Sequence, residues 1–329
     1  MEKQHYRSDE SETSTWEVFR GDGEQRPGVM LPGPPPWRVF DTAQREQPRA
    51  VYRAYPQLVN AINVAITLRR PLLLTGPAGL GKSSVAEAIA YELGLGRPLR
   101  WNVTSQSTIT EALYLYDALG RLQHQQLTGE DAIQDFLHLG PLGTALSSVY
   151  QRVLLIDEID KGDIDLPGDL LNVLESGDFE IPELKRHRQA EMDIQLDASD
   201  DRPEDQRSTR ITSGRVFCQI FPIIVITSNG EREFPPAFLR RCIRERIATP
   251  DAKRLADIVE AHLGLELAEQ ADQLIREFAA KLGAPDRPAA LAIDQLLNTV
   301  LLMTRENVPT DPQTRRELLA LLQKELRET

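Results

Sequence analysis

Residues 72–83 read Leu-Leu-Leu-Thr-Gly-Pro-Ala-Gly-Leu-Gly-Lys-Ser, and this stretch decides the fold. Leu72 to Thr75 form an apolar run typical of a buried strand, and Gly76 to Ser83 follow the pattern G-x-x-x-x-G-K-S. Apolar residues then recur at helical spacing from Val85 to Leu93. A strand, a Gly-rich loop and a helix in this order are the context that a phosphate-binding loop requires. The alternative, a Gly-rich turn with a chance lysine, explains the flanking strand and helix less well.

The residue types of the loop suit a bound triphosphate. Glycines let the backbone curl so that successive N–H groups point at an anion, and the next helix adds its positive N-terminal end. Lys82 is expected to reach the β- and γ-phosphates, and the Ser83 hydroxyl to bind Mg²⁺. The residues predicted to contact the nucleotide are Gly76, Pro77, Ala78, Gly79, Leu80, Gly81, Lys82, Ser83 and Ser84.

Composition narrows the class of protein. The 329 residues suffice for about two domains, and the net charge of −12 argues against bulk binding to nucleic acid. The two cysteines, Cys218 and Cys242, lack the spacing of a zinc site or disulfide framework, which indicates a reduced protein. Because no apolar run approaches the ~18 residues of a membrane span and the N-terminus lacks a signal-peptide core, we expect a cytoplasmic protein without membrane contact.

The chain is predicted to have three parts. Residues 1–50 form an irregular, Pro-rich arm, which we expect to pack on its own chain or on a neighbouring subunit rather than to be a disordered tail. Residues 51–249 form an α/β domain, and residues 250–329 are wholly helical. Insertions in the α/β domain are expected near 120–130 and at the charge-dense stretch 183–213, the latter as a loop or hairpin tip. Its strands are predicted at 72–75, 99–103, 153–156, 223–227 and 243–248, in a mostly parallel sheet, with 108–150 mostly helical.

Two more strands are predicted to end in polar residues at the sheet edge where ligands bind. Asp157 and Glu158 follow the run Val153–Ile156; Asp157 is placed to hold Mg²⁺, and Glu158 to orient and partly deprotonate an attacking water. Asn229 comes just after the second of these strands, predicted at 223–227, and is expected to hydrogen-bond the attacking water and sense the γ-phosphate. The simpler alternatives are solvated acids and a turn-forming Asn.

Paired arginines, Arg240 and Arg241, follow Phe234-Pro235-Pro236-Ala237-Phe238-Leu239. Two interpretations fit them equally well. They are either solvated side chains at a helix end or arginine fingers that contact a phosphate in a neighbouring active site. A finger of that kind raises the hydrolysis rate by ~10³-fold or more. Spacing alone leaves both interpretations open.

The order and the residues of these motifs resemble those of the AAA+ ATPases, and within them those of the MoxR family, over about residues 50–305. The matching stretches are Gly-Pro-Ala-Gly-Leu-Gly-Lys-Ser, Leu-Ile-Asp-Glu-Ile-Asp-Lys, Ile-Thr-Ser-Asn and Phe-Leu-Arg-Arg-Cys. The resemblance implies a parallel-sheet P-loop NTPase core with a C-terminal all-helical lid domain. It also implies ATP and Mg²⁺ as ligands, and a hairpin insertion in the second helix of the core.

The resemblance also implies roles by position. Lys82 and Ser83 would bind phosphate and Mg²⁺, Asp157 and Glu158 would be the Walker B pair, and Asn229 would be sensor 1. Arg241 lies where the family has its finger arginine, with Arg240 as the alternate. The family's sensor 2 arginine is missing from the helix near residue 290, and Arg287, just before it, is the candidate replacement.

The function that the resemblance implies is a chaperone-like motor. Such a protein forms a ring, expected to be a hexamer of this chain, and couples ATP hydrolysis to remodelling of a client protein. The Pro-Pro-Pro-Trp-Arg and Gly-Pro-Leu-Gly blocks resemble those of bacterial MoxR-like ATPases encoded beside von Willebrand factor A domain proteins, which are therefore candidate partners. Two alternatives stay open: a nucleic-acid motor or loader, and a non-hydrolysing nucleotide switch that controls partner docking.

Overall fold

The structure, a computed structural model, describes residues 25, 33–38, 52–130, 132–187, 189–282, 292–305, 308 and 311–322. The chain divides into two compact units, Gln47–Ala248 and the combination of Met1–Glu46 with Thr249–Thr329. Each unit has its own hydrophobic core. Within the described ranges, every helix falls short of the length and apolar character needed to cross a membrane.

The first unit alternates strands and helices. Its strands are β1 Leu72–Thr75, β2 Leu99–Asn102, β3 Tyr114–Tyr116, β4 Leu137–Leu139, β5 Val153–Asp157, β6 Asp178–Glu180, β7 Glu191–Gln195, β8 Ser208–Thr212, β9 Arg215–Phe217, β10 Ile223–Ser228 and β11 Ile243–Arg246. Its helices are α1 Pro56–Leu68, α2 Ser84–Glu92, α3 Ile109–Leu113, α4 Ala118–Thr128, α5 Pro141–Ser147, α6 Leu166–Ser176, α7 Pro182–Lys185 and α8 Pro236–Arg241. Short 3-10 helices lie at Ile133–Phe136, Ile159–Lys161 and Glu204–Gln206.

The central sheet has the strand order β11-β1-β10-β5-β2, and every pair in it is parallel. Strands β1, β5 and β10 are almost wholly apolar and buried, as expected for parallel strands covered on both faces. Parallel pairing brings the carboxyl ends of these strands to one edge. The predicted parallel-sheet P-loop core is confirmed, and its five strands are those that the sequence indicated.

A second sheet, of order β3-β4-β7-β8-β9-β6, contains the insertions. Strands β7 and β8 pair antiparallel, with Met192 opposite Ile211. The sequence predicted a loop or hairpin tip with almost no core at 183–213; the antiparallel pair agrees with a hairpin, but Met192, Ile194 and Ile211 are buried in the main core. Burial in β7 alternates from one residue to the next, so charged side chains occupy the exposed positions of a genuine strand.

The stretch 108–150, predicted to be mostly helical, also contains strands. Strands β3 and β4 pair antiparallel, with Tyr114 opposite Leu139. Residues 120–130, where the sequence predicted a hairpin, belong mostly to helix α4, which lies between these two strands. The Asp117 side chain accepts a hydrogen bond from the Gly120 N–H at its start, and Gly129, at φ 77°, ends it. Local capping therefore favours a helix over a turn at this position.

Every regular element described after Thr249 is helical, which confirms the predicted all-helical C-terminal part. The helices are α9 Ala252–Leu263, α10 Leu265–Gln270, α11 Asp272–Leu282, α12 Ile293–Met303 and α13 Pro312–Leu322. Their core includes Leu255, Phe278 and Leu296. Most of the predicted N-terminal arm lies outside the described residues, but Trp37, in a 3-10 helix at Pro36–Arg38, packs against this core.

Candidate functional site

The loop after β1 has backbone geometry that requires glycine. Gly76 adopts φ 140°, and a Cβ atom there would lie 2.9 Å from the carbonyl oxygen of Ile247. Gly81 adopts φ 78°, in the left-handed region that other residues rarely enter. Helix α2 then begins at Ser84, and the first N–H groups of a helix have no partner within it. The loop and helix start together form a site suited to an anion.

Lys82 ties this loop to the end of β10. Its side chain is only 6% exposed, and Nζ donates to the carbonyl oxygens of Gly76 and Pro77 at 2.8 and 2.7 Å and to Asn229 Oδ1 at 2.8 Å. These contacts occupy all three donors of the ammonium group. Burial lowers the pKa of Lys82, and the nearby carboxylates of Asp160, Asp157 and Glu158 oppose that shift.

Asp157 lies between two hydroxyl groups. Its Oδ1 accepts hydrogen bonds from Ser83 Oγ at 2.7 Å and from Thr227 Oγ1 at 2.6 Å. The oxygens of Ser83 and Asp157 are the type of ligand that Mg²⁺ prefers. Among the described residues, no cluster of three or more His, Cys, Asp and Glu side chains forms a metal site. The Ser83 and Asp157 oxygens fit the ligand set of a Mg²⁺ ion that takes its remaining ligands from water and phosphate.

Glu158 is held at its backbone and at both carboxylate oxygens. Its backbone adopts φ 58° and ψ 50°, and its N–H donates to Thr227 Oγ1 at 2.8 Å. Oε1 accepts from Asn229 Nδ2 at 3.2 Å, and Oε2 accepts from Lys161 Nζ at 2.6 Å. The hydrogen bond from Lys161 to this carboxylate raises the pKa of the lysine.

These side chains meet in one cleft of about 200 Å³ at the carboxyl edge of the central sheet. Of the predicted residues, the structure thus brings Lys82, Ser83, Asp157, Glu158 and Asn229 together. Three other predicted loop residues lie apart from the cleft lining: Gly76 and Pro77 accept from Lys82, and Leu80 is buried. The cleft is lined by Ala78, Gly79, Gly81, Lys82, Ser83, Ser84, Asp157, Glu158, Thr227 and Asn229.

Three residues at this edge were not identified from the sequence: Thr227, Asp160 and Lys161. Thr227 and its neighbour Ser228 are fully buried at the end of a strand that is otherwise apolar, and buried polar side chains of that kind need partners. A hydroxyl at the end of a buried apolar run was the available signal. Asp160 and Lys161 come two and three residues after Glu158, but only the folded turn shows that they contact Asn229 and Glu158, respectively.

The two arginines lie at the end of helix α8, away from this cleft lining. Arg241 donates hydrogen bonds to both carboxylate oxygens of Glu175, the next-to-last residue of α6. It also donates to the carbonyl oxygen of Ala237 at 3.3 Å. The hydrogen bond to Glu175 raises the pKa of Arg241 and lowers that of Glu175. Arg240 is exposed, and its carbonyl oxygen accepts from Arg70. The predicted sensor 2 candidate, Arg287, lies outside the described residues.

Residues 71–242, just over half of the chain, match the AAA domain (dynein-related subfamily). No curated protein sequence matches the chain. Among solved structures, NtrX from Brucella abortus in complex with ADP is 17% identical, with a TM-score of 0.43; the match covers 83% of this chain and 56% of that one. A point mutant of RuvB from Thermotoga maritima is 16% identical, with a TM-score of 0.40, and the match covers 77% and 64%. The chain thus spans less than two thirds of the length of either structure.

Proposed function

The chain belongs to the AAA domain family, in its dynein-related subfamily, and from that premise we propose that it is a MoxR-like AAA+ ATPase. In this proposal it hydrolyses ATP in an oligomeric ring and uses the energy to remodel or activate a partner protein. The observation that carries the proposal is the convergence of Lys82, Ser83, Asp157, Glu158 and Asn229 on one cleft of about 200 Å³. A phosphate-binding loop and a carboxylate pair face each other there across the ends of β1 and β5.

The triphosphate of ATP would lie against the loop and the start of α2. Lys82 would exchange its contacts with the Gly76 and Pro77 carbonyls for phosphate oxygens, because its ammonium group is attracted to the anion. Ser83 and Asp157 would hold Mg²⁺, which neutralises charge on the β- and γ-phosphates when bound. Burial of the ammonium group strengthens its attraction to phosphate, because the local dielectric constant is lower than in water.

Hydrolysis would use the second half of the cleft. Glu158 is the candidate general base, because its carboxylate borders the cleft and contacts Asn229 directly. Asn229 contacts both Glu158 and Lys82, so it joins the residue that would activate water to the residue that would bind phosphate. An amide in this position can hold the attacking water and respond to loss of the γ-phosphate.

The arginines of α8 would act on the nucleotide of an adjoining subunit. Arg241 remains the candidate finger, and its bidentate contact with Glu175 gives the guanidinium a defined position on its own subunit. Arg240 remains the alternate, since its side chain is exposed. An arginine supplied from a neighbour stabilises charge on the transferring phosphoryl group, which makes each site depend on the ring. We take a hexamer as the ring.

The partner would be a protein, with a von Willebrand factor A domain protein of the same bacterial cytoplasm as the leading candidate. Nucleic acid is less favoured as a partner, since the chain has a net charge of −12. Basic residues of the insertion sheet are also paired with acids: Lys185 with Glu180, and Arg210 with Asp193. Such pairing reduces the positive potential that phosphate binding requires.

Mixed rings test this function. Purified Arg241→Ala and Glu158→Gln chains are each expected to release phosphate from ATP far more slowly than the wild type. Mixing them should restore part of the turnover, because some interfaces then join Glu158 of one variant to Arg241 of the other. Arg100→Ala, which alters an exposed arginine paired with Glu87, is the matched control and should turn over normally.

Two results would oppose the proposal. Normal turnover by Arg241→Ala would remove the need for a finger at that position, and the same assay on Arg240→Ala then tests the alternate. Failure of the mixture to exceed the sum of its components, with both variants assembled as rings by mass measurement, would argue against shared active sites.

A further inference from the structure

Asp160 is a buried carboxylate that joins the ends of two strands. It lies in the 3-10 helix Ile159–Lys161 after β5 and is only 2% exposed. Its Oδ2 accepts hydrogen bonds from the backbone N–H groups of Asn229 and Glu231, at 2.9 and 3.0 Å. Both donors belong to the loop that follows β10. The two loops that carry Glu158 and Asn229 are therefore linked through one carboxylate oxygen.

The turn that carries Glu158 needs such support. Glu158 has a left-handed backbone at φ 58°, a conformation that is unfavourable for a non-Gly residue and persists only where its surroundings hold it. Thr227 accepts the N–H of Glu158 on one side, and Asp160 anchors the turn two residues later. Backbone strain at this position is thus balanced by contacts to β10 and its loop.

The link through Asp160 sets the position of Asn229 relative to Glu158 and Lys82. Asn229 Nδ2 lies 3.2 Å from Glu158 Oε1, and Asn229 Oδ1 lies 2.8 Å from Lys82 Nζ. The backbone N–H of Asn229 donates to Asp160 Oδ2, so Asp160 fixes the backbone from which the Asn229 side chain reaches Glu158 and Lys82. Misplacement of a reacting group by about 1 Å can lower a rate by about 100-fold.

The other oxygen of Asp160 has no such role. Oδ1 is buried without a hydrogen-bond partner in the part of the chain that the structure describes. Buried polar atoms without partners are uncommon and costly in natural proteins. A carboxylate at this place therefore costs stability, while its single useful oxygen serves the loop that carries Asn229.

We propose that Asp160 is a positioning residue that fixes Asn229 against Glu158 and Lys82 by accepting the two N–H groups of the 229–231 loop. The proposal rests on the ATPase function proposed above. Asp160 does not touch the nucleotide, and its effect on turnover passes through Asn229. What matters is the acceptor oxygen, which an asparagine side chain also offers.

The test compares Asp160→Ala with Asp160→Asn in the full chain. Asp160→Ala should lower kcat for ATP hydrolysis by about 100-fold, while the Kd for a fluorescent ATP analogue changes by no more than a few-fold. Asp160→Asn keeps an acceptor oxygen at the same place and should recover most of the lost kcat. Asp169→Ala, an exposed acid in the first turn of α6, is the control and should match the wild type.

Either of two results overturns the proposal: wild-type kcat in Asp160→Ala, or an Asp160→Asn variant as slow as Asp160→Ala. Should Asp160→Ala fail to fold by thermal melting, Asp160→Ser replaces it, because its short side chain cannot reach both N–H groups, and the same criteria decide. Failure of the ATPase function would look different. In that case the wild type itself would show no phosphate release that depends on Lys82.

Discussion

Strand β5 carries charged side chains at both ends, and the two ends differ in how the charges are satisfied. At the carboxyl end, Asp157 and Glu158 border a cleft and contact residues of three other segments. At the amino end, Arg152 is 4% exposed and lies 3.3 Å from both Asp200 and Asp201. Asp200 is in turn bound by Arg202 through two hydrogen bonds of 2.9 and 3.1 Å.

The amino end is a closed ion cluster. Asp200 and Asp201 belong to the connection between β7 and β8, so the cluster fastens the insertion sheet to the central sheet. The charges there face one another, whereas those of the carboxyl end face a space that a ligand can enter. Removing one partner of a buried ion pair destabilises a fold, whereas charges around a cleft are available for chemistry. Substitutions at the two ends should therefore separate stability from turnover.

The largest effect is expected at the carboxyl end. Glu158→Gln should lower phosphate release by about a thousandfold, because it removes the candidate general base while leaving the shape of the side chain nearly unchanged. Nucleotide binding and the melting temperature should stay close to those of the wild type. Turnover is measured by phosphate release, binding by fluorescent nucleotide, and folding by calorimetry. Full turnover by this variant would remove Glu158 from the chemistry.

The next effect is expected at the amino end and concerns stability. Asp200→Asn should lower the free energy of unfolding at pH 7 by about 3 kcal/mol, because Arg152 and Arg202 then lose a buried partner. Turnover per folded molecule should not change. Urea unfolding measures the first quantity, and phosphate release below the melting transition measures the second. Asp193→Asn, in an exposed pair with Arg210, should cost little and is the control.

The stability cost of Asp200→Asn should also depend on pH. Burial raises the pKa of Asp200, but the hydrogen bonds of Arg202 and the charge of Arg152 outweigh it, and the pKa is lowered overall. A carboxyl group with a lowered pKa in the folded state contributes stability above its unfolded pKa of about 3.9, and loses it as the pH falls through the folded value. The wild type and variant should thus converge in stability below about pH 4. A constant difference down to pH 3 would contradict the assignment.

A smaller effect is expected at Thr227, which supports the carboxyl end from inside the sheet. Thr227→Val should lower the free energy of unfolding by about 2 kcal/mol, because the N–H of Glu158 and the carboxylate of Asp157 each lose a buried partner. Turnover should fall too, since both acidic residues depend on this hydroxyl. Thr227→Ser keeps the hydroxyl and should preserve turnover. Equal turnover of the valine and serine variants would contradict this role.

The smallest effect on stability is expected at Glu175, whose pair with Arg241 is exposed on both sides. Glu175→Gln should leave the melting temperature unchanged, because exposed ion pairs contribute little. Turnover of the assembled protein should shift modestly, because Arg241 loses the contact that orients it. A large fall in melting temperature would show that the pair holds α6 and α8 together instead.

The sequence predicted the central sheet because its strands are continuous apolar runs that end in polar residues. The same reasoning placed Lys82, Ser83, Asp157, Glu158 and Asn229 at one edge, where the structure has them. At 183–213 it indicated a loop or hairpin tip but not the buried faces of β7 and β8, because the many charges concealed an alternation of buried and exposed positions. Strands half covered by polar side chains give a weaker signal than fully buried ones.

Contacts that depend on tertiary structure could not be predicted. Asp160 and Asn229 are far apart in sequence, and only parallel pairing of β5 with β10 brings their loops together. Arg152 precedes β5 without any sign that Asp200 will bury it. In each case the residue type is unremarkable by itself, and its role follows from a partner supplied by another element.

Binding of ATP to the wild type and to Lys82→Ala, compared by titration with a fluorescent analogue and Mg²⁺, tests the central claim most directly. Lys82 is the side chain that links the loop to Asn229, and its ammonium group is the one expected to meet the β- and γ-phosphates. We expect saturable binding by the wild type and an affinity at least about tenfold lower in the variant, with the fold intact by calorimetry. Equal binding by the two proteins, or none by the wild type, would contradict it.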